Sequence, residues 1–219
     1  MTGALCRIDA SQLARVPDRG PLIMVVNHIN FLEAPVLYTQ LRPRPITVLA
    51  KSEVWHNPAL RFLANLWGAI PLRRGKADMA ALRRALEILD AGYILIVAPE
   101  GTRSSHGRLQ RGHPGTAFLA LRSGAPLLPV VHYGGERFWR NLVSLRRTDF
   151  HTVVGQPFHV EAHKVKVTRQ VRRQMTDEIM YQMAALLPPA YRGVYSDLAV
   201  ATETYLRFPP GAKSNLPCA

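Results

Sequence analysis

The stretch Tyr93-Ile-Leu-Ile-Val-Ala98 decides the fold class of this protein. It is a short, continuous apolar run between a glycine and a proline, which is typical of a strand buried on both faces of a sheet. Further strands are predicted at residues 21–26, 45–50, 69–72, 127–132 and 150–154. Helices are predicted at residues 57–68, 78–92, 116–122 and 171–183. This alternation with short connections predicts an α/β fold in which a mostly parallel central sheet is flanked by helices.

Length and composition indicate one ordinary globular domain. The chain has 219 residues, of which 47% are apolar and 20% charged, and these values exclude a disordered or low-complexity chain. We predict a single domain over residues 1–207 and a flexible tail over residues 208–219. Lysine and arginine total 28 against 15 acidic residues, so the net charge is +13. This excess predicts an anionic partner, which could be a nucleic acid, a membrane surface or a phosphorylated substrate.

The cysteines and the apolar segments indicate where the protein works. Cys6 and Cys218 lie near opposite ends of the chain and form no disulfide framework or metal motif, as is usual for free thiols in a reducing cytosol. The first residues lack the apolar core of a signal peptide, and no run of about 20 apolar residues occurs. We therefore expect a cytoplasmic protein that does not span a membrane but can lie on one.

Polar side chains follow three of the predicted strands, at the ends where parallel sheets bind ligands. They comprise one histidine, two carboxylates and three guanidinium groups: His28, Glu33, Arg73, Arg74, Glu100 and Arg103. His28 can meet Glu33 only if the histidine lies in a loop and the glutamate in the next helical turn, because positions five apart in one helix diverge by about 140°. Such a pair leaves one ring nitrogen free as a general base, and guanidinium groups bind phosphate. Solvated surface pairs are the ordinary alternative.

Four stretches of the chain resemble, in order and spacing, the sequence blocks of the glycerolipid acyltransferase family. They are residues 27–33, 68–75, 99–104 and 125–130, and the third, Pro99-Glu-Gly-Thr-Arg-Ser104, is very specific. The resemblance covers about residues 20 to 190. It implies the fold of glycerol-3-phosphate acyltransferases and transfer of a fatty acyl group to a lysophospholipid hydroxyl. The implied acceptor is 1-acyl-sn-glycerol 3-phosphate, which gives phosphatidic acid, and another glycerolipid acceptor is the alternative.

The resemblance also implies a role for each matching residue. His28 would take the proton from the acceptor hydroxyl and Glu33 would orient it. The acceptor's phosphate and glycerol would be bound by the remaining matching positions: Arg73, Arg74, Glu100, Gly101, Thr102 and Arg103. Acyl-CoA or acyl-carrier protein would be the co-substrate, with no metal and no resident cofactor. The thioester oxygen needs hydrogen-bond donors as it gains charge, and we expect backbone amides near the histidine to supply them.

This chain departs from the family pattern at three positions. Glu33 stands where the family usually has aspartate, so the carboxylate reaches one methylene further. Asn30 and Ala98 stand where serine and phenylalanine are common. A glutamate can still pair with the histidine, so we expect the activity to be retained.

A lysophospholipid acceptor implies contact with an anionic membrane surface, and two sets of residues could provide it. Basic side chains surround the start of the last helix: Lys164, Lys166, Arg169, Arg172 and Arg173. Their charge opposes the helix dipole, whereas each adds about 1 kcal/mol of attraction to anionic lipids. Candidate interfacial side chains are Trp55, Phe62, Leu66, Trp67 and Trp139, although Phe62 and Leu66 also fit a core. We predict salt-sensitive peripheral binding to the inner face of the membrane.

Three other functions remain open from the sequence. The pI of 10.5 is compatible with nucleic-acid binding, but the basic residues are spread over several elements and match no known binding motif. A thioester or ester hydrolase is the second alternative, and the absence of a Gly-x-Ser-x-Gly motif argues against a serine hydrolase. An inactive, lipid-binding relative would also carry these motifs.

Overall fold

The computed structural model of the protein describes residues 6–30, 33–73, 78–162 and 165–217. A seven-stranded sheet with the order β1-β7-β6-β2-β5-β3-β4 forms its centre. The strands of this sheet are β1 Cys6–Asp9, β2 Leu22–Val26, β3 Ile46–Lys51, β4 Ile70–Leu72, β5 Ile94–Val97, β6 Leu127–Tyr133 and β7 Thr148–Val154. A separate antiparallel pair consists of β8 His159–Val160 and β9 Leu206–Arg207.

The predicted mostly parallel sheet is confirmed. Strands β6, β2, β5, β3 and β4 all run in one direction, and only β7, with β1 beside it, runs in the opposite one. In the centre, Val25 of β2 is level with Val97 of β5 and with Pro129 of β6. The carboxyl ends of these strands therefore meet at one edge of the sheet, which we call the carboxyl edge.

Six α-helices flank the sheet within the described ranges. They are α1 Glu33–Gln40, α2 Pro58–Leu66, α3 Met79–Asp90, α4 Gly115–Ser123, α5 Phe138–Val143 and α6 Arg169–Ala185. The helices predicted at residues 57–68 and 78–92 begin with side-chain caps: Asn57 accepts two backbone N–H groups at the start of α2, and Asp78 accepts one at the start of α3. None of these helices is long and apolar enough to cross a membrane.

The helices divide between the two faces of the sheet. Val36 and Leu37 of α1 and Phe138 of α5 belong to one apolar core cluster. The other cluster contains the apolar sides of α3, α4 and α6, including Met175 and Ile179. We call these the α1 face and the α6 face.

The sequence did not predict how the end of the chain is attached. In the segment predicted as a flexible tail, Asn215 Nδ2 donates to Gln182 Oε1 at 2.9 Å, and the Asn215 N–H donates to the same oxygen at 2.9 Å. The Gln156 N–H donates to Asn215 Oδ1 at 2.6 Å. Cys6 is a buried, free thiol in β1, whereas Cys218 lies outside the described residues.

Candidate active site

His28 and Glu33 meet at the carboxyl edge of the sheet. His28 lies in the loop after β2, and Glu33 is the first residue of α1. His28 Nδ1 is 3.0 Å from Glu33 Oε2. The other carboxylate oxygen, Oε1, accepts the N–H groups of Ile29 at 3.0 Å and Asn30 at 2.7 Å. These contacts occupy both oxygens of a carboxylate that is only 4% exposed, so they hold it in one orientation.

The second ring nitrogen of His28 faces the outside of this pair. In the neutral histidine, the proton on Nδ1 donates to Glu33, which leaves the lone pair on Nε2. Nε2 makes no hydrogen bond to any of the residues that the structure describes, and the side chain is 35% exposed. The arrangement is that of a positioned general base open to a ligand.

The loop after β5 holds the backbone of His28 from two sides. The His28 N–H donates to Glu100 Oε1 at 3.1 Å, and the His28 carbonyl accepts the Ser104 N–H at 2.7 Å. Glu100 Oε2 accepts the Gln110 N–H at 2.8 Å, so one carboxylate connects three loop positions. Burial raises the pKa of Glu100 to about 7, although the two N–H groups and nearby His28 favour its ionised form.

These contacts bear on the residues predicted to bind the acceptor. Glu100 is 2% exposed and both of its oxygens accept backbone N–H groups, so its carboxylate serves the protein's own loops. Gly101 has a φ of +65°, and a Cβ there would lie 3.0 Å from the His113 ring. The backbone therefore requires glycine at this turn. Thr102 and Arg103 are exposed and directly precede Ser104, so they are available to a ligand beside His28.

Arg73 lies further from the pair. Its N–H donates to Asp78 Oδ2 at 3.0 Å, and its side chain is exposed at the end of β4. Strands β5 and β3 separate β4 from β2, which corresponds to about 14 Å at the usual strand spacing. Arg74 lies outside the described residues. Of the predicted arginines in the described ranges, Arg103 is therefore the one in the loop that contacts His28.

Asn27 and His132 are two residues of the site for which the sequence analysis gave no role. Asn27 Oδ1 accepts the His132 N–H at 2.7 Å, and Asn27 Nδ2 donates to the His132 carbonyl at 2.8 Å. This side chain thus continues the pairing of β2 with β6 directly before His28. A polar residue in the predicted strand at 127–132 was the available signal for His132, and the strand-end position was the signal for Asn27.

His132 is fully buried beside the active-site pair. Its Nδ1 lies 3.0 Å from Thr152 Oγ1, and its ring stacks on Phe150 with centroids 5.2 Å apart. Burial lowers the pKa of His132 to about 4, so the ring is neutral near pH 7.

These contacts limit which backbone amides can act as oxyanion donors. Within the described residues, the N–H groups of His28, Ile29 and Asn30 lie beside the pair, and all three donate to carboxylates. They are therefore not available to a thioester oxygen while the pair is intact.

The basic cluster at the start of α6 is also smaller than the sequence predicted. Arg173 donates to Asp177 Oδ2 at 2.9 Å and to the Gly112 carbonyl at 2.7 Å, so its guanidinium group is bound within the protein. Lys164 lies outside the described residues. Arg169 and Arg172 remain near the surface, on the α6 face.

The sequence profile of the acyltransferase family matches residues 7–133, which is more than half of the chain. The matched region contains His28, Glu33 and the whole loop that holds them. The chain therefore belongs to the acyltransferase family.

Several known proteins are similar to it. A chloroplast 1-acyl-sn-glycerol-3-phosphate acyltransferase of Brassica napus is 28% identical over 58% of this chain and 38% of its own length. A lyso-ornithine lipid O-acyltransferase of Pseudomonas aeruginosa is 33% identical over 52% and 43%. A 1-acyl-sn-glycerol-3-phosphate acyltransferase of the same bacterium is 22% identical over 90% and 76%. The chain thus spans less than half the length of the first two relatives.

The fold has a counterpart among solved structures. The crystal structure of PlsC, the 1-acyl-sn-glycerophosphate acyltransferase of Thermotoga maritima, superimposes with a TM-score of 0.56 at 23% sequence identity. The match covers 81% of this chain and 70% of that one. It establishes the fold of the domain described above.

Proposed function

We propose that this protein transfers a fatty acyl group from an acyl thioester to the hydroxyl of a lysophospholipid, with 1-acyl-sn-glycerol 3-phosphate as the first acceptor to test. The observation that carries the proposal is the contact of His28 with Glu33, which leaves Nε2 open at the carboxyl edge. The names of the similar proteins support this class of acceptor. The thioester would come from acyl-CoA or acyl-carrier protein.

In the proposed reaction, His28 Nε2 takes the hydroxyl proton as the hydroxyl oxygen attacks the thioester carbonyl carbon. The C–O bond forms, the C–S bond breaks, and the leaving thiolate receives the proton back from the imidazolium. Glu33 stabilises the imidazolium through Nδ1. A thioester is already activated, so a positioned base worth about 10²–10⁴-fold together with proximity can drive the step.

Arg103 is the described arginine best placed to bind the acceptor's phosphate. It is exposed and adjoins Ser104, whose N–H holds the carbonyl of His28. A guanidinium group binds phosphate through paired hydrogen bonds. In this proposal Arg74 is a second contact, and Glu100 holds the loop that carries His28.

The test measures transfer of a labelled palmitoyl group from palmitoyl-CoA to 1-acyl-sn-glycerol 3-phosphate. His28→Ala should lower kcat by at least about 100-fold because the base is lost. Glu33→Asp should keep most of the activity, and Glu33→Gln should lose much of it because the imidazolium loses its counter-charge. Equal rates for the wild type and His28→Ala would refute the proposed base, and release of free fatty acid without transfer would indicate a hydrolase.

Repeating the assay with a second acceptor lipid separates phosphate binding from catalysis. The similar lyso-ornithine lipid O-acyltransferase acts on an acceptor class that the same assay can include. Arg103→Ala should raise KM for the phosphate-bearing acceptor and should change KM for lyso-ornithine lipid much less. An equal effect on both acceptors would contradict the assignment of Arg103 to the phosphate.

A further inference from the structure

Two groups of large apolar side chains are exposed on the protein, and the first follows β6. Trp139, Val143 and Leu145 are 63%, 85% and 95% exposed, and we call them the α5 patch. Leu145 has a φ of +53° and is the one non-glycine residue with positive φ in the described ranges. The left-handed conformation costs about 1–2 kcal/mol for a residue with a side chain. This conformation ends α5 as a left-handed cap, in which the Arg146 N–H donates to the Asn141 carbonyl at 2.8 Å. The exposure of so large an apolar side chain still needs an explanation outside the folded domain.

The second group lies on α2. Leu60, Phe62 and Leu66 are 48%, 68% and 67% exposed, and we call them the α2 patch. Only Ala64 of this helix is buried, so α2 presents most of its apolar side chains to the outside. Phe62 and Leu66 are therefore not core residues, which settles the alternative left open by their helical spacing.

Both patches lie beside α1, on the α1 face. Tyr38 of α1 stacks on Trp67 at the end of α2 with ring centroids 4.9 Å apart, and its hydroxyl donates to the Trp67 carbonyl at 2.7 Å. On the other side of α1, Phe138 of α5 shares a core cluster with Leu37. The first residue of α1 is Glu33, so the two patches flank the helix that carries the catalytic carboxylate.

A hydrogen bond connects the α5 patch with the loop of His28. Asn30 Nδ2 donates to the Gly135 carbonyl at 2.7 Å, and Gly135 lies three residues before α5. A Cβ at Gly135 would come within 2.6 Å of the Asn30 side-chain nitrogen, so this side chain packs directly against the Gly135 backbone. This hydrogen bond therefore joins the segment that leads into α5 to the loop that follows His28.

The positive charges around the two patches indicate what kind of surface would cover them. Arg61 on α2 and Arg140 and Arg146 around the α5 patch are exposed. Apolar and tryptophan side chains surrounded by arginine match the boundary between acyl chains and anionic headgroups. The net charge of +13 adds long-range attraction to such a surface.

We propose that the α2 and α5 patches dock the protein on an anionic lipid bilayer with the α1 face towards the membrane. This inference deepens the proposed function, because it brings the His28 side of the molecule to the headgroups where a lysophospholipid hydroxyl lies. It replaces the α6 start as the principal contact, since Arg169 and Arg172 lie on the opposite face. Docking itself requires no acyl transfer.

The experiment is co-sedimentation of the full chain with vesicles of phosphatidylcholine containing phosphatidylglycerol, without an acyl donor. One variant combines Trp139→Ser, Val143→Ser and Leu145→Ser, and another combines Phe62→Ser with Leu66→Ser. Each should lower the vesicle partition coefficient by about 10-fold or more, since a tenfold change requires only about 1.4 kcal/mol of lost apolar burial. Their thermal unfolding midpoints should match the wild type, because the altered side chains are exposed.

Matched controls come from the α6 face. Val194 and Val200 are 65% and 60% exposed, similar to Phe62 and Leu66, and they line a surface cleft with residues of α6. Val194→Ser with Val200→Ser, and separately Arg169→Gln with Arg172→Gln, should change the partition coefficient less than twofold. Loss of binding in the Arg169/Arg172 variant but not in the patch variants would overturn the proposal.

Two further outcomes are decisive. The wild type could fail to bind vesicles and instead form dimers, while the patch variants stay monomeric. The α1 face would then be covered by a second copy of the chain, and the lipid proposal would be wrong. His28→Ala should bind vesicles as the wild type does. Failure of docking can therefore be distinguished from failure of the proposed chemistry, because docking is measured without catalysis and acyl transfer is measured with its own substrate pair.

Discussion

At the scale of single residues, Glu100 provides the sharpest distinction between positioning His28 and binding the acceptor. Glu100→Gln keeps the size of the side chain but replaces one accepting oxygen with an NH₂ group, which cannot accept from His28 or Gln110. We expect kcat to fall by about 10–100-fold, from the loss of one charge-assisted hydrogen bond of about 1.5–3 kcal/mol, with KM for the acceptor nearly unchanged. Steady-state kinetics with the acceptor varied provide the measurement. A raised KM with normal kcat would instead indicate direct contact with the acceptor.

The same residues show how far sequence reasoning reaches at this scale. The contact of Glu33 with His28 could be predicted because the two residues are only five positions apart, across a strand-to-helix transition. The partners of Glu100 could not be predicted, because the N–H groups of His28 and Gln110 come together only when two loops meet at the carboxyl edge. The family resemblance implied that Glu100 binds the acceptor, whereas in the structure its buried carboxylate accepts N–H groups of the protein itself.

At the scale of elements, the end of the chain supports the active-site loop through one close backbone contact. The Leu109 N–H donates to the Tyr191 carbonyl at 2.9 Å, and the Val194 N–H donates to the Leu109 carbonyl at 3.3 Å. Gly193 lies between these contacts with a φ of +55°, and a Cβ there would come within 2.0 Å of the Leu109 oxygen. Leu109 precedes Gln110, whose N–H binds Glu100, so this contact reaches the loop that holds His28.

Gly193→Ala should therefore reduce both stability and activity. The left-handed conformation alone costs about 1–2 kcal/mol, and the clash with the Leu109 backbone adds to it. Gly92→Ala is the matched control, because Gly92 has a φ of +80° and no atom within 4 Å of the added Cβ. Urea unfolding should show a clearly larger loss for Gly193→Ala, accompanied by lower acyl transfer. Equal losses for the two variants would contradict a backbone clash at Gly193.

The elements that the sequence missed are short and depend on distant partners. Strands β2 to β6 were predicted because buried parallel strands appear as continuous apolar runs. β1 has four residues and pairs with β7, Cys6 opposite Thr148, so its own sequence carries little signal. α5 has six residues, and its exposed apolar side chains blur the periodicity that marks a helix packed on a core.

At the scale of the whole molecule, the two faces of the sheet differ in what they carry. The α6 face contains long α6 with its fully buried Met175 and Ile179, and the end of the chain packs there. The α1 face carries Glu33, the carboxylate that contacts His28, and both exposed apolar patches. Charge alone could not reveal this division, because basic residues occur on both faces and only the packing shows that Arg173 is bound internally.

The free energy of unfolding of the whole protein should depend on pH through two buried groups, His132 and Glu100. Their contributions change in opposite directions with pH. Burial lowers the pKa of His132 to about 4 from an ordinary 6.5, so between these values the unfolded chain binds a proton that the folded protein does not. Stability from this group is therefore lost as the pH falls. Burial raises the pKa of Glu100 from an ordinary 4.5 to about 7, so stability from Glu100 is lost as the pH rises through that window. Each term amounts to about 3 kcal/mol at most.

Because the two windows overlap, the terms nearly cancel in the wild type, and single variants should expose them. We expect the stability of the wild type minus that of Glu100→Gln to decrease as the pH rises from about 4.5 to 7. The corresponding difference for His132→Gln should increase as the pH rises from about 4 to 6.5. Urea unfolding across this range at constant ionic strength measures both differences, and subtraction removes the contribution of all other titrating groups. Two differences that do not vary with pH would show that neither group is as strongly desolvated as its burial beside His28 and Glu33 requires.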